Sequence, residues 1–186
     1  MAKNKKGFTI IEVVLVLAIA GLIFLMVFIA LPALQRSQRN TAREDDLSRF
    51  LTAANDYQTN NNGKTPFGKT TNGNAGVDKK FVKRYIDEKC EAGTDGKYTG
   101  CEGQFTDPDG TIYAMKWIQK VAQKTVDIKS VDGTQADPVW PNAHTVMAYT
   151  NASCGDEATA LKGNGERQYA LFYVLEGGAV SCNDNH

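Results

Sequence analysis

The hydrophobic positions of the chain are concentrated near its N-terminus. Residues 13–31 form a run of 19 residues without a charged side chain. As a helix that rises about 1.5 Å per residue, this run spans about 28 Å, close to the thickness of the bilayer core. It is longer than the apolar core of a secretory signal, and no small-residue cleavage site of the Ala-x-Ala kind follows it. The pattern predicts a membrane-spanning helix that stays in the product.

Beyond this span, an apolar stripe recurs every three or four residues. The stripe consists of Leu47, Phe50, Leu51, Ala54 and Tyr57. Such spacing predicts that one long helix continues to about Tyr57 and buries the stripe against a partner surface.

Charged residues surround this stripe in two short groups. The basic group precedes the acidic group, and together they are Arg36, Arg39, Arg43, Glu44, Asp45 and Asp46. Because charge runs on a helix usually face water, we expect a solvated face whose ion pairs each contribute under about 1 kcal/mol.

Past the helix, the pattern changes to turns and alternating strands. Residues 58–78 are rich in Asn, Gly and Thr, which predicts a long loop. Asp78 then caps a short predicted helix, with Phe81, Val82, Tyr85 and Ile86 on one face. Strand-like stretches at 111–118, 125–131, 144–150 and 168–175 predict an antiparallel sheet. The last of these is apolar on both faces.

Charge and candidate chemistry narrow the functional classes. The 21 basic and 21 acidic side chains cancel, so no whole-chain field attracts nucleic acid or an anionic surface. No glycine-rich phosphate loop occurs, and His144 has no partner at the spacing of a catalytic triad. Asp107 and Asp109 lie in an Asp-Pro-Asp-Gly stretch, which is expected to form a turn rather than a calcium site or an acid pair. We therefore predict no enzyme activity, no cofactor and no metal.

Glu12 is an acid next to the apolar run. A carboxylate costs about 2.5 to 3.5 kcal/mol at the centre of an inserted helix. One interpretation is a tolerated acid at the membrane interface. The other is a carboxylate that lacks a partner until a positive group is supplied, because a buried carboxylate is favourable only when paired.

The stretch KKGFTIIEVVLVLAIAGLI resembles the N-terminal signature of type IV prepilins and the related pseudopilins. A short basic leader ends in glycine, phenylalanine follows, glutamate comes four residues later, and a long apolar helix completes it. The resemblance implies that a prepilin peptidase cuts between Gly7 and Phe8 on the cytoplasmic face and methylates the new amine. It also implies that Glu12 pairs with the Phe8 amine of a neighbouring subunit during assembly.

By this resemblance, the chain is a structural subunit of a type IV pilus. The precursor would lie in the cytoplasmic membrane, with its N-terminus in the cytoplasm, and would polymerise into an extracellular filament. Implied partners are other copies of the chain, the prepilin peptidase and, indirectly, the assembly platform with its ATPase motor. Two alternatives remain: a minor pilin or type II secretion pseudopilin, and a monomeric binding domain that uses the helix as a tether.

Four segments follow from these predictions. They are a cleaved leader at 1–7, a membrane and filament-core helix at 8–34, the amphipathic half of that helix at 35–60, and a globular head at 61–186. The expected fold class is α+β, a pilin fold whose long helix packs its C-terminal half on an antiparallel sheet. Loss of three leader lysines leaves 18 basic against 21 acidic side chains.

The head contains the four cysteines Cys90, Cys101, Cys154 and Cys182. No Cys-x-x-Cys pair occurs and the two histidines lack zinc-finger spacing, so disulfides are expected. They place the head in an oxidising space. Of three pairings, Cys90 with Cys101 and Cys154 with Cys182 is favoured, since the second bridge would tie the C-terminal region to the sheet. The resemblance likewise implies a disulfide-closed C-terminal loop.

Overall fold

The computed structural model describes residues 7–69, 75–92, 98–99, 101, 106–120, 125–127, 144–156, 159–163 and 165–185. Leader residues 1–6 and part of the predicted strand at 125–131 lie outside the described residues. The chain divides into two compact units, Met1–Gln38 and Arg39–His186.

One long helix begins the described chain. Helix α1 covers Ile10–Asn60, three residues beyond the predicted end. It is long and apolar enough to cross a membrane, judged by length and composition. Its residues up to Gln38 belong to the first unit, where the side chains are exposed apart from the partly covered Ala20.

Within the second unit, the apolar stripe of α1 is buried as predicted. Leu47, Phe50, Ala54 and Tyr57 are at most 8% exposed, and Leu51 packs against the same core. The partner surface is a face of the central sheet, which contributes Tyr113, Tyr169, Leu171 and Tyr173.

The segment between α1 and the central sheet holds short elements. Strand β1 (Phe67–Lys69) pairs with β2 (Ala75–Val77) in an antiparallel hairpin, within the region predicted as loop. Helix α2 (Lys79–Phe81) passes directly into a π-helical turn, Val82–Ile86. As predicted, Asp78 caps α2 by accepting a hydrogen bond from the Lys80 amide. Strands β3 (Glu91–Ala92) and β4 (Tyr98–Thr99) form a second small pair.

The central sheet has four strands. Strands β5 (Ala114–Lys120), β7 (Thr145–Thr150), β10 (Tyr169–Val174) and β11 (Val180–Asp184) lie in the order β11-β10-β7-β5. Strand β10 is antiparallel to both neighbours, but β5 is parallel to β7. The prediction of a purely antiparallel sheet is therefore wrong at this pair. More than 20 residues separate β5 from β7, which is enough chain for the crossover that parallel neighbours require.

A second sheet covers the other side of β10. Strands β6 (Thr125–Asp127), β9 (Thr159–Lys162) and β8 (Ala152–Cys154) form an antiparallel sheet in that order. Ala170 and Phe172 of β10 pack with Ala152 and Ala160, while the alternate side chains of β10 face the α1 core. The strand is apolar on both faces because it lies between two cores.

Two disulfides close loops of the head. Cys90 is bonded to Cys101, and Cys154 of β8 is bonded to Cys182 of β11. These are the two pairs that the sequence analysis favoured. The second bridge joins the edge strand of the central sheet to the second sheet and packs against its core.

Removal of the Phe50 ring tests the α1 core. Phe50 is 2% exposed, and its ring meets Tyr113 edge to face at 5.4 Å. We expect Phe50→Ala to lower the free energy of unfolding of the head by about 3 to 5 kcal/mol, because the cavity cannot fully collapse. Denaturant unfolding of the full chain in detergent, followed by tyrosine fluorescence, measures this.

Phe28→Ala is the matched control, since this ring lies on the same helix and is 74% exposed. It should leave the unfolding midpoint of the head unchanged. An equal loss in both variants would contradict the core described above.

Candidate functional site

The residues of the predicted processing and assembly motif lie at the start of α1: Gly7 and Phe8 precede the helix, and Glu12 is in its first turn. Thr9 precedes the helix, and its hydroxyl accepts a hydrogen bond from the Glu12 amide at 3.3 Å. In return, Oε2 of Glu12 accepts hydrogen bonds from the Thr9 amide and from the Thr9 hydroxyl, each at 2.8 Å. This reciprocal arrangement is a capping box, which satisfies backbone donors that a helix start leaves free.

Glu12 therefore has partners within its own chain. One of the two interpretations in the sequence analysis was a carboxylate without a partner before assembly, and neither took account of the Thr-x-x-Glu spacing that signals the box. Only one carboxylate oxygen is used: among the described residues, nothing donates a hydrogen bond to Oε1 of Glu12. The Phe8 side chain, at the predicted cleavage point, is 90% exposed.

The second site is a set of buried charges in the head. Arg43 is 3% exposed, so the prediction of a solvated face is wrong at this residue. Its Nε and Nη2 donate to the two Asp107 carboxylate oxygens at 2.7 and 2.8 Å. Its Nη1 donates to Oε1 of Glu176 at 2.8 Å. A bidentate guanidinium and carboxylate pair of this kind fixes geometry as well as charge.

Arg39 and Asn40 extend the contact toward the β10–β11 turn. Arg39 donates to both oxygens of Glu176, at 2.6 and 2.8 Å. The Asn40 amide group accepts from the Glu176 backbone N–H at 2.9 Å and donates to its carbonyl at 3.2 Å. The turn itself needs Gly177 and Gly178, whose φ angles are +98° and +86°. We call Arg39, Arg43, Asp107 and Glu176 the ion-pair cluster.

The predicted Asp-Pro-Asp-Gly turn supplies the buried acid of this cluster. The Gly110 amide donates to the Asp107 carbonyl at 2.8 Å, and Gly110 has a φ of +89°. Oδ1 of Asp107 also accepts from the Asp109 amide at 3.1 Å, and Oδ2 accepts from the Tyr173 hydroxyl at 2.9 Å. The predicted turn is confirmed. It places the Asp107 carboxylate against α1, and both carboxylate oxygens accept hydrogen bonds.

The pKa shifts of the ion-pair cluster agree with this geometry. Burial by itself would raise the pKa of Asp107, but hydrogen bonds from Arg43, Asp109 and Tyr173 outweigh it and lower the pKa to about 2. Hydrogen bonds from Arg39 and then Arg43 lower the pKa of Glu176 to about 2, although partial desolvation opposes them. Hydrogen bonds to Asp107 raise the pKa of Arg43 in spite of its burial. All four groups are charged at neutral pH.

His144 lies beside the cluster and completes a group of possible metal ligands. Its Nδ1 is 3.6 Å from Oδ2 of Asp107 and its Nε2 is 3.4 Å from Oδ2 of Asp109. One ligand atom from each of these three residues lies within 4.8 Å of the others. However, both Asp107 oxygens already accept hydrogen bonds from Arg43, whose positive charge opposes a cation there. We assign the three residues to a structural role.

The sequence contained a signal for the burial of Arg43 but none for its partners. Arg43 precedes Leu47 by four residues, so both lie on the same face of a helix. Asp46 behaves similarly: it is 9% exposed, accepts from the Tyr113 hydroxyl at 2.9 Å and from Arg49 at 2.8 Å, and was also expected to face water. Asp107, Tyr113 and Glu176 are distant in sequence, and no periodicity connects them to α1.

The comparisons with known proteins bear on the first of these sites. A family model described as the prokaryotic N-terminal methylation motif matches residues 2–28. No curated protein and no solved structure matches the chain significantly. With its long N-terminal helix and β-rich head, the chain has an α+β, pilin-like architecture. It carries the type IV prepilin signature, which indicates a precursor of the type IV pilin-like or pseudopilin kind.

Removal of the Arg43 guanidinium tests the ion-pair cluster. We expect Arg43→Met to lower the free energy of unfolding by about 3 to 5 kcal/mol, because Asp107 would stay buried without its counter-charge. Arg49→Met is the control: Arg49 lies on the same helix, but its side chain is 51% exposed. It should cost less than about 1 kcal/mol. Equal losses of unfolding free energy in the two variants would contradict the structural role of the Arg43 ion pairs.

Acid should weaken the same cluster. The Asp107 pKa of about 2 lies below the ordinary value of 3.8, so its contribution is complete above about pH 4 and is lost as pH falls through 2. We expect protonation of Asp107 to lower the free energy of unfolding by about 2 kcal/mol over that window. Asp107→Asn abolishes this titration, and its stability should fall less steeply between pH 4 and pH 2. Parallel pH profiles of the two proteins, measured by denaturant unfolding, would contradict this assignment.

Proposed function

We propose that this chain is a structural subunit of a type IV pilus. It is held in the cytoplasmic membrane as a prepilin, cleaved after Gly7, and polymerised through its N-terminal helix into an extracellular filament. The observation that carries the proposal is the methylation motif at the start of an apolar helix whose surface none of the described residues covers.

The uncovered surface requires a partner. Every large hydrophobic side chain that is exposed in the described residues lies between positions 8 and 34. A contiguous apolar surface of this size marks a membrane or protein contact. Lipid covers it before assembly, and the same helix of other copies covers it in a filament. A single helix thereby serves both states.

The cleavage point fits processing by another protein. A Cβ added to Gly7 would meet nothing within 4 Å among the described residues, so their packing gives no reason for glycine there. A requirement for glycine at this position would then come from the peptidase that reads it. Phe8, immediately after it, is exposed and bears the new amine once the leader is removed.

Glu12 has the capacity to bind that amine. The capping box holds the side chain through Oε2 and leaves Oε1 for a second contact. An ammonium group close to this carboxylate would attract it more strongly in the dry surroundings of packed helices than in water. In a filament, the amine comes from a neighbouring subunit, and the pair sets the register between the two helices.

Mass spectrometry of the mature chain tests the proposal most directly. Sheared surface filaments should contain this chain as their main protein, beginning at an N-methylated Phe8. An intact Met1 in surface material would contradict processing. Presence only in trace amounts within long filaments would favour the minor pilin, and short periplasmic fibres would favour the pseudopilin.

Neutralisation of Glu12 separates the assembly function from a simple tether. We expect Glu12→Gln to keep the capping hydrogen bonds and membrane insertion, but to lower the filament yield at least about tenfold, since the charge pair is lost. Glu91→Gln, an exposed acid of the head, should assemble normally. Immunoblots of sheared and membrane fractions measure both. Normal filaments of the Glu12 variant would leave the tethered monomer as the better interpretation.

A further inference from the structure

Four basic side chains lie together on the outside of the short helical segment that follows Asp78. They are Lys79, Lys80, Lys83 and Arg84, which we call the basic turn. Between them, Phe81 and Val82 are at most 1% exposed. Because the buried pair fixes one side of the segment in the core, the spacing directs all four cations to the opposite side, where each is exposed.

The basic turn has no counter-charge of its own in the described part of the chain. No acid there approaches any of the four cations within the 4.0 Å of an ion pair. The flanking carboxylates make other contacts: Asp78 accepts from the Tyr57 hydroxyl and the Lys80 amide, and Asp87 accepts from the Lys89 amide. The positive surface is available to another molecule.

A complementary negative surface lies on α1. It consists of Glu44, Asp45 and Asp56, which we call the acidic face; all three are exposed. Asp45 and Asp56 are separated by eleven residues, three helical turns or about 16 Å, so they lie on the same side of the helix. The basic residue between them, Arg49, is engaged by Asp46. Among the described residues, no cation forms an ion pair with the acidic face.

We propose that the basic turn of one copy docks on the acidic face of a second copy within the filament. This inference rests on the proposed function, because the filament supplies the second copy. Two surfaces of opposite charge occur on one chain, and the cleaved chain carries 18 basic against 21 acidic side chains, which favours self-association over capture of a general polyanion. Such a contact selects one register between the heads and disfavours others, since like charges would meet.

Zero-length cross-linking tests the contact on intact filaments. A carbodiimide joins a lysine amine to a carboxylate only where the two touch. We expect sheared filaments to give covalent dimers and longer ladders on denaturing gels, with peptides that join Lys79, Lys80 or Lys83 to the acidic face. Filaments whose cross-linked peptides lack these pairs, or show them only within monomers, would overturn the inference and leave the proposed function intact. Absence of filaments would instead count against the proposed function.

Charge reversal gives an independent readout. Lys83→Glu should lower filament yield about tenfold, as should Asp45→Lys, because each places like charges in contact. The double variant should recover to within about twofold of the parent. Lys64→Glu, an exposed lysine outside the basic turn, is the matched control and should assemble normally. Failure of the double variant to recover, with both single variants folded by circular dichroism, would overturn the pairing.

Discussion

The buried pair between Arg43 and Asp107 is the constraint on which the head depends. Burial of either charge alone would cost several kcal/mol, so each is tolerable only because the other is present and joined to it by two hydrogen bonds. The pair joins α1 to a turn 64 residues later in the chain. Through Glu176, it also joins α1 to the β10–β11 turn. The apolar stripe packs α1 against the core, and this cluster specifies which part of the helix meets which loop.

The two halves of α1 differ in where their apolar side chains lie, although they form one continuous helix. Residues of the head half bury a narrow apolar stripe together with Arg43 and Asp46, and their other charged side chains are exposed or half-buried. The N-terminal half is apolar all round, which suits lipid or a bundle of identical helices but not water. The capping box at Thr9 and Glu12 closes the exposed end of this half. One carboxylate thereby caps the helix start through Oε2 and, among the described residues, accepts no hydrogen bond at Oε1.

Patterns that are local in sequence were predictable, and contacts between distant segments were not. The stripe of α1, the Asp78 cap and the double-sided strand β10 follow from periodicity and capping chemistry within a few residues. The parallel pairing of β5 with β7 and the partners of Arg43 depend on how segments distant in sequence meet. For Arg43, the sequence contained a signal that was misinterpreted. Its spacing of four residues from Leu47 indicated burial, but its charge was taken to indicate exposure to solvent. The Thr-x-x-Glu spacing likewise predicts the capping box of Thr9 and Glu12.

The position of the ion-pair cluster has a mechanical consequence. In the proposed filament, tension along the N-terminal helix would reach the head first at Arg39, Asn40 and Arg43, because these residues precede the apolar stripe in the chain. These side chains pass the load to the β10–β11 turn, and the Cys154–Cys182 bridge carries it on to a strand of the second sheet. Several charged hydrogen bonds would then have to break together rather than one after another, so the head should resist pulling along its helix better than peeling from its far end.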